Sequence, residues 1–203
     1  MDQLSPGEIA LWCQRTLPDD TRAFEMLVST YKKNVFATAY RLLGSRHDAE
    51  DVAQESFLKI YRGIKDLAEP ATLTTWIYRI TTRTCFDHIE SMKRRSPGQP
   101  GASMGAEEEP PDYVDSRART PEEAALNREL RKCLEKTLAN LDPDGRSVIV
   151  LRDVEDRSYQ EIAEVLAIGL SAVKMRIHRA RLAFQRLLDQ VCPGIARVRL
   201  NRA

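Results

Sequence analysis

The stretch Ser158–Leu188, SYQEIAEVLAIGLSAVKMRIHRARLAFQRLL, decides how the rest of the chain is read. Ser158 followed by Glu161 fits a capping box, in which the hydroxyl takes one free backbone N–H and the carboxylate another. Ile162, Ala163 and Leu166 supply the buried side of a short helix. Ala167, Ile168 and Gly169 make a turn. Leu170, Val173, Ile177, Ala180, Phe184, Leu187 and Leu188 then recur at helical spacing. The other face carries Lys174, Arg176, His178, Arg179, Arg181 and Arg186, and no Asp or Glu occurs between Glu164 and Asp189. A cationic face of this kind repels itself unless a polyanion answers it. The pattern predicts a helix-turn-helix whose second helix enters the major groove of DNA. Ser171, Lys174, Met175, His178 and Arg179 fall on the side toward base edges. Without DNA, the same pattern fits a solvated basic helix on a small bundle.

The basic character is local. The whole chain of 203 residues has a formal charge of +1, so any nucleic-acid surface arises from segregation of charge. With 42% hydrophobic and 30% charged residues, the composition fits a helix-rich globular protein of one or two domains. No apolar run approaches the ~20 residues of a spanning helix, so no membrane insertion is expected. MDQLSPGEIALW has no basic region before an apolar core, so no signal peptide is expected. Cys13, Cys85, Cys133 and Cys192 lie far apart, in no metal-ligand spacing. Reduced thiols in a cytoplasmic protein are the simplest reading, with Cys85 and Cys133 acting as small hydrophobes on helix stripes. A redox role for Cys13 or Cys192 is the alternative. No metal and no cofactor are expected.

At the other end of the chain, Ile9–Thr16 is a short helix ending before Pro18. Asp19, Asp20 and Thr21 offer a cap for a long helix with Phe24, Leu27, Val28, Tyr31, Val35, Ala39 and Leu42 inward, stopped at Gly44. The next helix opens near Ser45–Asp48. Asp48, Glu50, Asp51 and Glu55 crowd its positive end. Pro70 interrupts the pattern, and a further helix from about Leu73 places Trp76, Ile77, Ile80, Thr84, Cys85 and Ile89 inward. Arg79, Arg83, Lys93, Arg94 and Arg95 point outward.

Residues 96–119 hold five of their kind as Gly or Pro at 97, 98, 100, 101 and 105, then Glu107–Glu109 and Pro110–Pro111, and can build little core, so they read as a flexible linker. Thr120, Pro121 and Glu123 open the second domain. Leu126, Leu130, Cys133, Leu134, Thr137, Leu138 and Leu141 form its first stripe. Asp142–Pro143 starts another helix with Val148, Ile149 and Leu151 inward; Arg146 and Arg152 are placed to reach DNA phosphates, which position without specifying. The expected fold is therefore all-α. It has a domain over 1–95, the linker over 96–119, a helix-turn-helix domain over 120–192 and a basic tail over 193–203.

These segments resemble the bacterial sigma-70 RNA polymerase sigma factors of the extracytoplasmic-function (ECF) group. SYQEIAEVL followed by SAVKMRIHRARLAF is similar to the family's region 4, with Ala167 where the pattern usually has Gly and Ser171–Ala172 where it usually has Gly-Thr. DAEDVAQESFLKIYR is similar to the part of region 2 that docks on core RNA polymerase, and TWIYRITTRTCFDHIESMKRR to the part that reads and opens the −10 element. The resemblance spans roughly residues 20 to 190. It implies three surfaces. Ser171, Lys174, Met175, Arg176, His178, Arg179 and Arg181, with Arg146 and Arg152, would face the −35 element. Thr72, Arg79, Arg83, Lys93, Arg94 and Arg95 would face the −10 element, where a base flipped from the strand is held at the cost of unstacking. Asp48, Asp51, Gln54 and Glu55 would meet the polymerase. Promoter DNA, core RNA polymerase and an anti-sigma factor are the implied partners, and the acidic linker would thread a basic channel. The rival is a stand-alone helix-turn-helix regulator reading a two-fold repeat. An enzyme is not expected: no nucleophile–base pair or Gly-rich phosphate loop is present, and His47, His88 and His178 are scattered.

Overall fold

Serine and aspartate caps set the helix starts. In the computed structural model, which describes residues 4–95 and 120–193, Ser5 and Glu8 form a capping box that starts α1 (Pro6–Thr16) three residues before the expected Ile9. Ser45 caps α3 (Arg46–Gly63), Thr120 caps α5 (Pro121–Ala139), Asp142 caps α6 (Pro143–Ile149) and Ser158 caps α7 (Tyr159–Leu166). Each side chain accepts the N–H three residues on, which removes one of the unpaired donors at a helix start. Of the candidate caps Asp19, Asp20 and Thr21, it is Asp20 that accepts a helix-start N–H, that of Arg22 at 3.0 Å, and not Thr21, whose hydroxyl bonds Glu25 at 2.9 Å instead. α2 (Arg22–Leu43) stops where predicted, at Gly44 with φ 77°. α4 (Leu73–Arg95) and α8 (Leu170–Val191) complete an all-helical set among the described residues.

Two short 3₁₀ turns, Ile64–Asp66 and Pro70–Thr72, fill the loop around Pro70. α1 to α4 enclose a first core in which Leu27, Ile60, Ile64, Leu73 and Ile77 are fully buried. Each such side chain contributes about 1.5–3 kcal/mol. α5 to α8 enclose Val148, Leu151, Ile162 and Ile177. That second core is not closed off from the first half. One apolar cluster runs from Leu42, Tyr78 and Cys85 through Leu141, Ile149 and Val165, so α2 and α4 share a layer with α5 to α8. Between α6 and α7 the chain forms a five-residue π-helical segment, Val150–Val154, closed by the Glu155 N–H on the Val150 carbonyl at 3.0 Å.

Three expectations need correction. Leu126, in the first stripe of the second domain, is 66% exposed and Leu134 is also uncovered, because α8 covers only part of α5. Leu170, at the very start of α8, is exposed beside the cleft that Tyr159 and Gln160 of α7 also line. The cysteines are not all thiols: Cys133 on α5 and Cys192 after α8 form a disulfide with Cα atoms 6.2 Å apart. Fifty-nine residues separate them in sequence, but α5 and α8 pack on each other, and this brings the two positions together. Cys13 and Cys85 are free and buried, as hydrophobes; burial pushes the Cys13 thiol up to about 11 and the Cys85 thiol higher still. The linker and the tail beyond 193 lie outside the described residues.

Candidate nucleic-acid interface

The turn between α7 and α8 is built from backbone. The Ser158 N–H donates to Glu161 Oε2 at 2.8 Å and the Glu161 N–H to Ser158 Oγ at 3.2 Å, so the predicted capping box is complete. Ala167 then turns left-handed at φ 52°, and the Ile168 N–H closes onto the Ala163 carbonyl at 3.1 Å. Gly169 leads into α8 with an extended backbone, and a side chain there would meet nothing within 4 Å. α8 runs 22 residues, about 33 Å at 1.5 Å per residue.

Val173, Ile177, Ala180 and Leu188 hold α8 to its domain. Ser171, Lys174, Met175, His178 and Arg179 are exposed along one side, with Met175 at 54%. The cations of the second domain divide into two sets. Arg176 pairs with Asp144 at 3.3 Å, and Arg181 with Asp153 across to the π-helical segment. Arg152 donates to the Arg157 carbonyl at 2.8 Å, lies 5.3 Å over the Tyr159 ring and stands 3.7 Å from Asp156. Lys174 and Arg179 have no carboxylate partner among the described residues, so their charge is uncompensated; His178 is exposed beside them without a carboxylate partner. A cleft of about 370 Å³ lies beside Lys174, which lines it with Arg152, Ser158, Tyr159, Gln160 and Leu170.

Arg146 is not where a phosphate contact requires it. Its guanidinium turns inward and donates to the carbonyls of Leu42 (2.6 Å), Leu141 (3.1 Å) and Ala139. Burial lowers its pKa from the ordinary arginine value. The residue fastens the start of α6 to the end of α5 and to α2, and no sequence signal separates such an arginine from a surface one.

A second cluster forms at the start of α4. Thr72, Trp76 and Arg79 line a cleft of about 280 Å³ together with Asp66, Leu67, Ala68, Glu69 and Thr75. The Thr72 hydroxyl donates to the Glu69 carbonyl at 2.7 Å. Trp76 is half-buried, and a Cβ at Gly63 would come within 3.2 Å of its ring, so the glycine lets the ring approach α3 closely. Arg83, Lys93, Arg94 and Arg95 are exposed further along α4, away from this cleft. Glu164 of α7 forms one wall of the cleft, so the second domain sits against it.

On α3, Asp51, Gln54 and Glu55 are exposed on one face. His47 lies 3.3 Å from Asp51 and Lys59 2.9 Å from Glu55. Asp48 is half-buried, 3.2 Å from His88 Nε2 of α4. Leu58, 56% exposed, continues the face one turn beyond Gln54 and Glu55. It was readable in the sequence as the apolar residue out of phase with Val52, Ala53 and Ile60.

The two halves meet through a polar contact that no local sequence pattern marks. Glu155 accepts from the Tyr78 hydroxyl (2.6 Å), Arg41 Nη1 (3.2 Å) and the Thr38 hydroxyl (3.3 Å). Arg157 lies 5.3 Å over the Tyr78 ring and pairs with Glu161, which also accepts from Thr75 at 3.3 Å. Burial, and then the bond to Glu155, raise the pKa of the Tyr78 phenol.

Comparison with known proteins places this geometry. A family model described as sigma-70 region 2 matches residues 27–95, and one described as sigma-70, region 4 matches residues 131–184. The ECF RNA polymerase sigma-E factor of Haemophilus influenzae is 35% identical over 168 residues, 83% of this chain and 88% of that protein. The structure of CnrH in complex with the cytosolic domain of CnrY superposes with a TM-score of 0.61 at 27% identity, covering 91% of this chain and 97% of that one. The sigma factor RpoE in complex with the anti-sigma factor NepR from Bartonella quintana shares the fold at 20% identity, with a TM-score of 0.64 over 82% of this chain and 96% of that one.

Proposed function

The chain belongs to the ECF group of sigma-70 RNA polymerase sigma factors, and from that membership we propose how its surfaces divide the work. It binds core RNA polymerase and directs initiation at specific promoters. It is not an enzyme: the polymerase performs the chemistry. Its partners are core RNA polymerase, promoter DNA and an anti-sigma factor of the kind seen with the structural neighbour from Bartonella quintana. The stand-alone regulator is not favoured, because both halves match sigma regions in order. Among the described residues no helix is long and apolar enough to cross a membrane. The chain acts in the cytoplasm, beside polymerase and chromosome.

The observation that carries the division of labour is the uncompensated, exposed face of α8. Ser171, Lys174, Met175, His178 and Arg179 read the −35 element in the major groove, with Met175 offering an apolar contact to a thymine methyl. Arg176, Arg181 and Arg152, already paired within the domain, orient that face and reach phosphates only at its edge. Arg146 holds the domain together. The cleft of Thr72 and Arg79 takes the flipped −10 base, and Arg83, Lys93, Arg94 and Arg95 track the strand backbone beyond it. Asp48, Asp51, Gln54, Glu55 and Leu58 dock on the polymerase. The working units are residues 1–95 and 120–192, with 96–119 as the tether between them and the basic residues after 193 as a tail.

The glutamate wall of the −10 cleft opposes a polyanion. Glu69 and Asp66 of the first domain and Glu164 of the second all line it, so moving the second domain away removes one of the three carboxylates that DNA would meet there.

Run-off transcription with purified chain, bacterial core polymerase and a promoter library tests the reading. Core-dependent initiation from one shared −35/−10 pair is expected. Binding to a symmetric DNA site with no affinity for core would overturn it.

A further inference from the structure

We propose that Cys133 and Cys192 form a reversible oxidation site that fastens the far end of the DNA-reading helix to α5. The pair stands apart from the other two cysteines by geometry. Cys13 and Cys85 are completely buried in separate places, at 0% exposure, and are unpaired. Cys133 is 6% exposed on the inner side of α5, whereas Cys192 is half-buried immediately after α8. Their Cα separation of 6.2 Å lies within the range a disulfide spans without moving the backbone.

The asymmetry sets the order of events. Cys192 is the thiol an oxidant reaches first. With hydrogen peroxide as the two-electron oxidant, the Cys192 thiolate attacks one peroxide oxygen and the O–O bond breaks. The sulfur becomes a sulfenic acid, and the leaving oxygen takes a proton as water. The Cys133 thiolate then attacks that sulfur. An S–S bond forms, the S–O bond breaks, and the hydroxide leaves as a second water with the proton Cys133 gave up. Two thiols and one peroxide thus give one disulfide and two waters. A dithiol reductant reverses the result and is itself oxidised.

The bond matters because of what it joins. α5 and α8 form the two walls of an open groove of about 590 Å³ lined by Leu134, Leu138, Ile149 and Phe184. Covalent closure at Cys133–Cys192 pins the two walls at one end. It also closes a loop of 59 residues that contains α6, α7 and α8, so it removes freedom from the unfolded second domain. In the reduced chain the last turn of α8 is held only by side chains such as Leu188.

The test uses the full chain and needs neither DNA nor polymerase, so its failure leaves the promoter-reading assignment untouched. Reduced protein is exposed to hydrogen peroxide, alkylated, digested and mapped by mass spectrometry, and its melting is followed with and without dithiothreitol. The expected result is one linked peptide pair, Cys133 with Cys192, lighter by two hydrogens, with Cys13 and Cys85 recovered as thiols. The oxidised chain should melt about 10 °C or more above the reduced one. Trypsin should cut at Arg186 several-fold faster after reduction. Cys192→Ser, at the half-exposed position, should fold normally and lose all three differences; Cys133→Ala should do the same. A linkage between chains, a linkage through Cys13 or Cys85, no linkage, or a linkage that leaves the melt unchanged each overturns the proposal.

Discussion

The Tyr78 hydroxyl donates to Glu155 Oε2 at 2.6 Å and joins the second turn of α4 to the segment just before the DNA-reading motif. Glu155 keeps only 9% of its side chain exposed and also holds Arg41. A hydrogen bond to a buried charge contributes about 1.5–3 kcal/mol, and losing the donor leaves the carboxylate short of a partner. Tyr78→Phe should therefore shift the two halves toward separation by about tenfold or more. Energy transfer between probes on α1 and α8 measures that shift. Unchanged transfer efficiency would mean that the shared apolar layer, not Glu155, holds the halves.

Lys174→Ala and Arg179→Ala should weaken binding to a −35 duplex and leave affinity for core polymerase intact. Loss of the Lys174 charge should lower the salt slope of binding by about one. Arg179→Ala should relax the preference for one base by about 1–3 kcal/mol if it reads a base edge. Asp51→Ala and Leu58→Ala should do the reverse, weakening core binding alone. Filter binding at several salt concentrations and a polymerase pull-down separate the two effects. Equal loss of both activities in all four variants would erase the division of labour.

Arg146→Ala should act on folding, not on DNA. The guanidinium serves three carbonyls from α2, α5 and the turn between α5 and α6. Removing it leaves buried acceptors unpaired, at about 1–3 kcal/mol for each that water does not reach. The denaturation midpoint should fall, while the salt slope of DNA binding stays at the wild-type value in protein that remains folded.

This arginine also shows where sequence reading stops. The helix-turn-helix, the cap at Ser158, the stop at Gly44 and the break at Pro70 are local features, each written in a few adjacent residues, and all were legible. The faces of α3 and α8 were legible too, because helical periodicity separates Asp51 and Lys174 from the core side. Long-range pairings were not. Arg146 and Arg152 look alike in sequence, yet one points inward and the other lies over Tyr159. Tyr78 and Glu155 are 77 residues apart, and nothing near either marks the other. Cys133 and Cys192 meet only because two helices far apart in sequence are packed together.

Glu135 lies in the groove between α5 and α8 with a buried Oε2 that has no hydrogen-bond partner. Burial raises its pKa above the ordinary carboxylate value, against the pull of Arg41 and Arg131. A group whose pKa is raised on folding binds its proton more tightly in the folded chain. The folded state is then unpenalised below the unfolded-state pKa of about 4.3, and loses stability as pH rises through the raised value. Glu135→Gln should raise the melting temperature at pH 7 and lose that advantage near pH 4. Equal effects at both pH values would show that the change acts through packing and not through charge.

Ala167 adopts φ 52°, where a Cβ crowds the following carbonyl at a cost of about 1–2 kcal/mol. Ala167→Gly relieves that crowding but frees the unfolded chain, which gives back about 0.4–1 kcal/mol. The net expectation is a gain of about 0.5–1 kcal/mol in the second domain. The turn geometry is already set by the Ile168 N–H on the Ala163 carbonyl, so α8 should keep its orientation and −35 affinity should not change. Urea unfolding of the full chain, alongside duplex binding, checks both halves of the expectation. A loss of stability would show that the unfolded-state term outweighs the left-handed strain. A gain accompanied by altered affinity would show that Ala167 tunes the angle between α7 and α8.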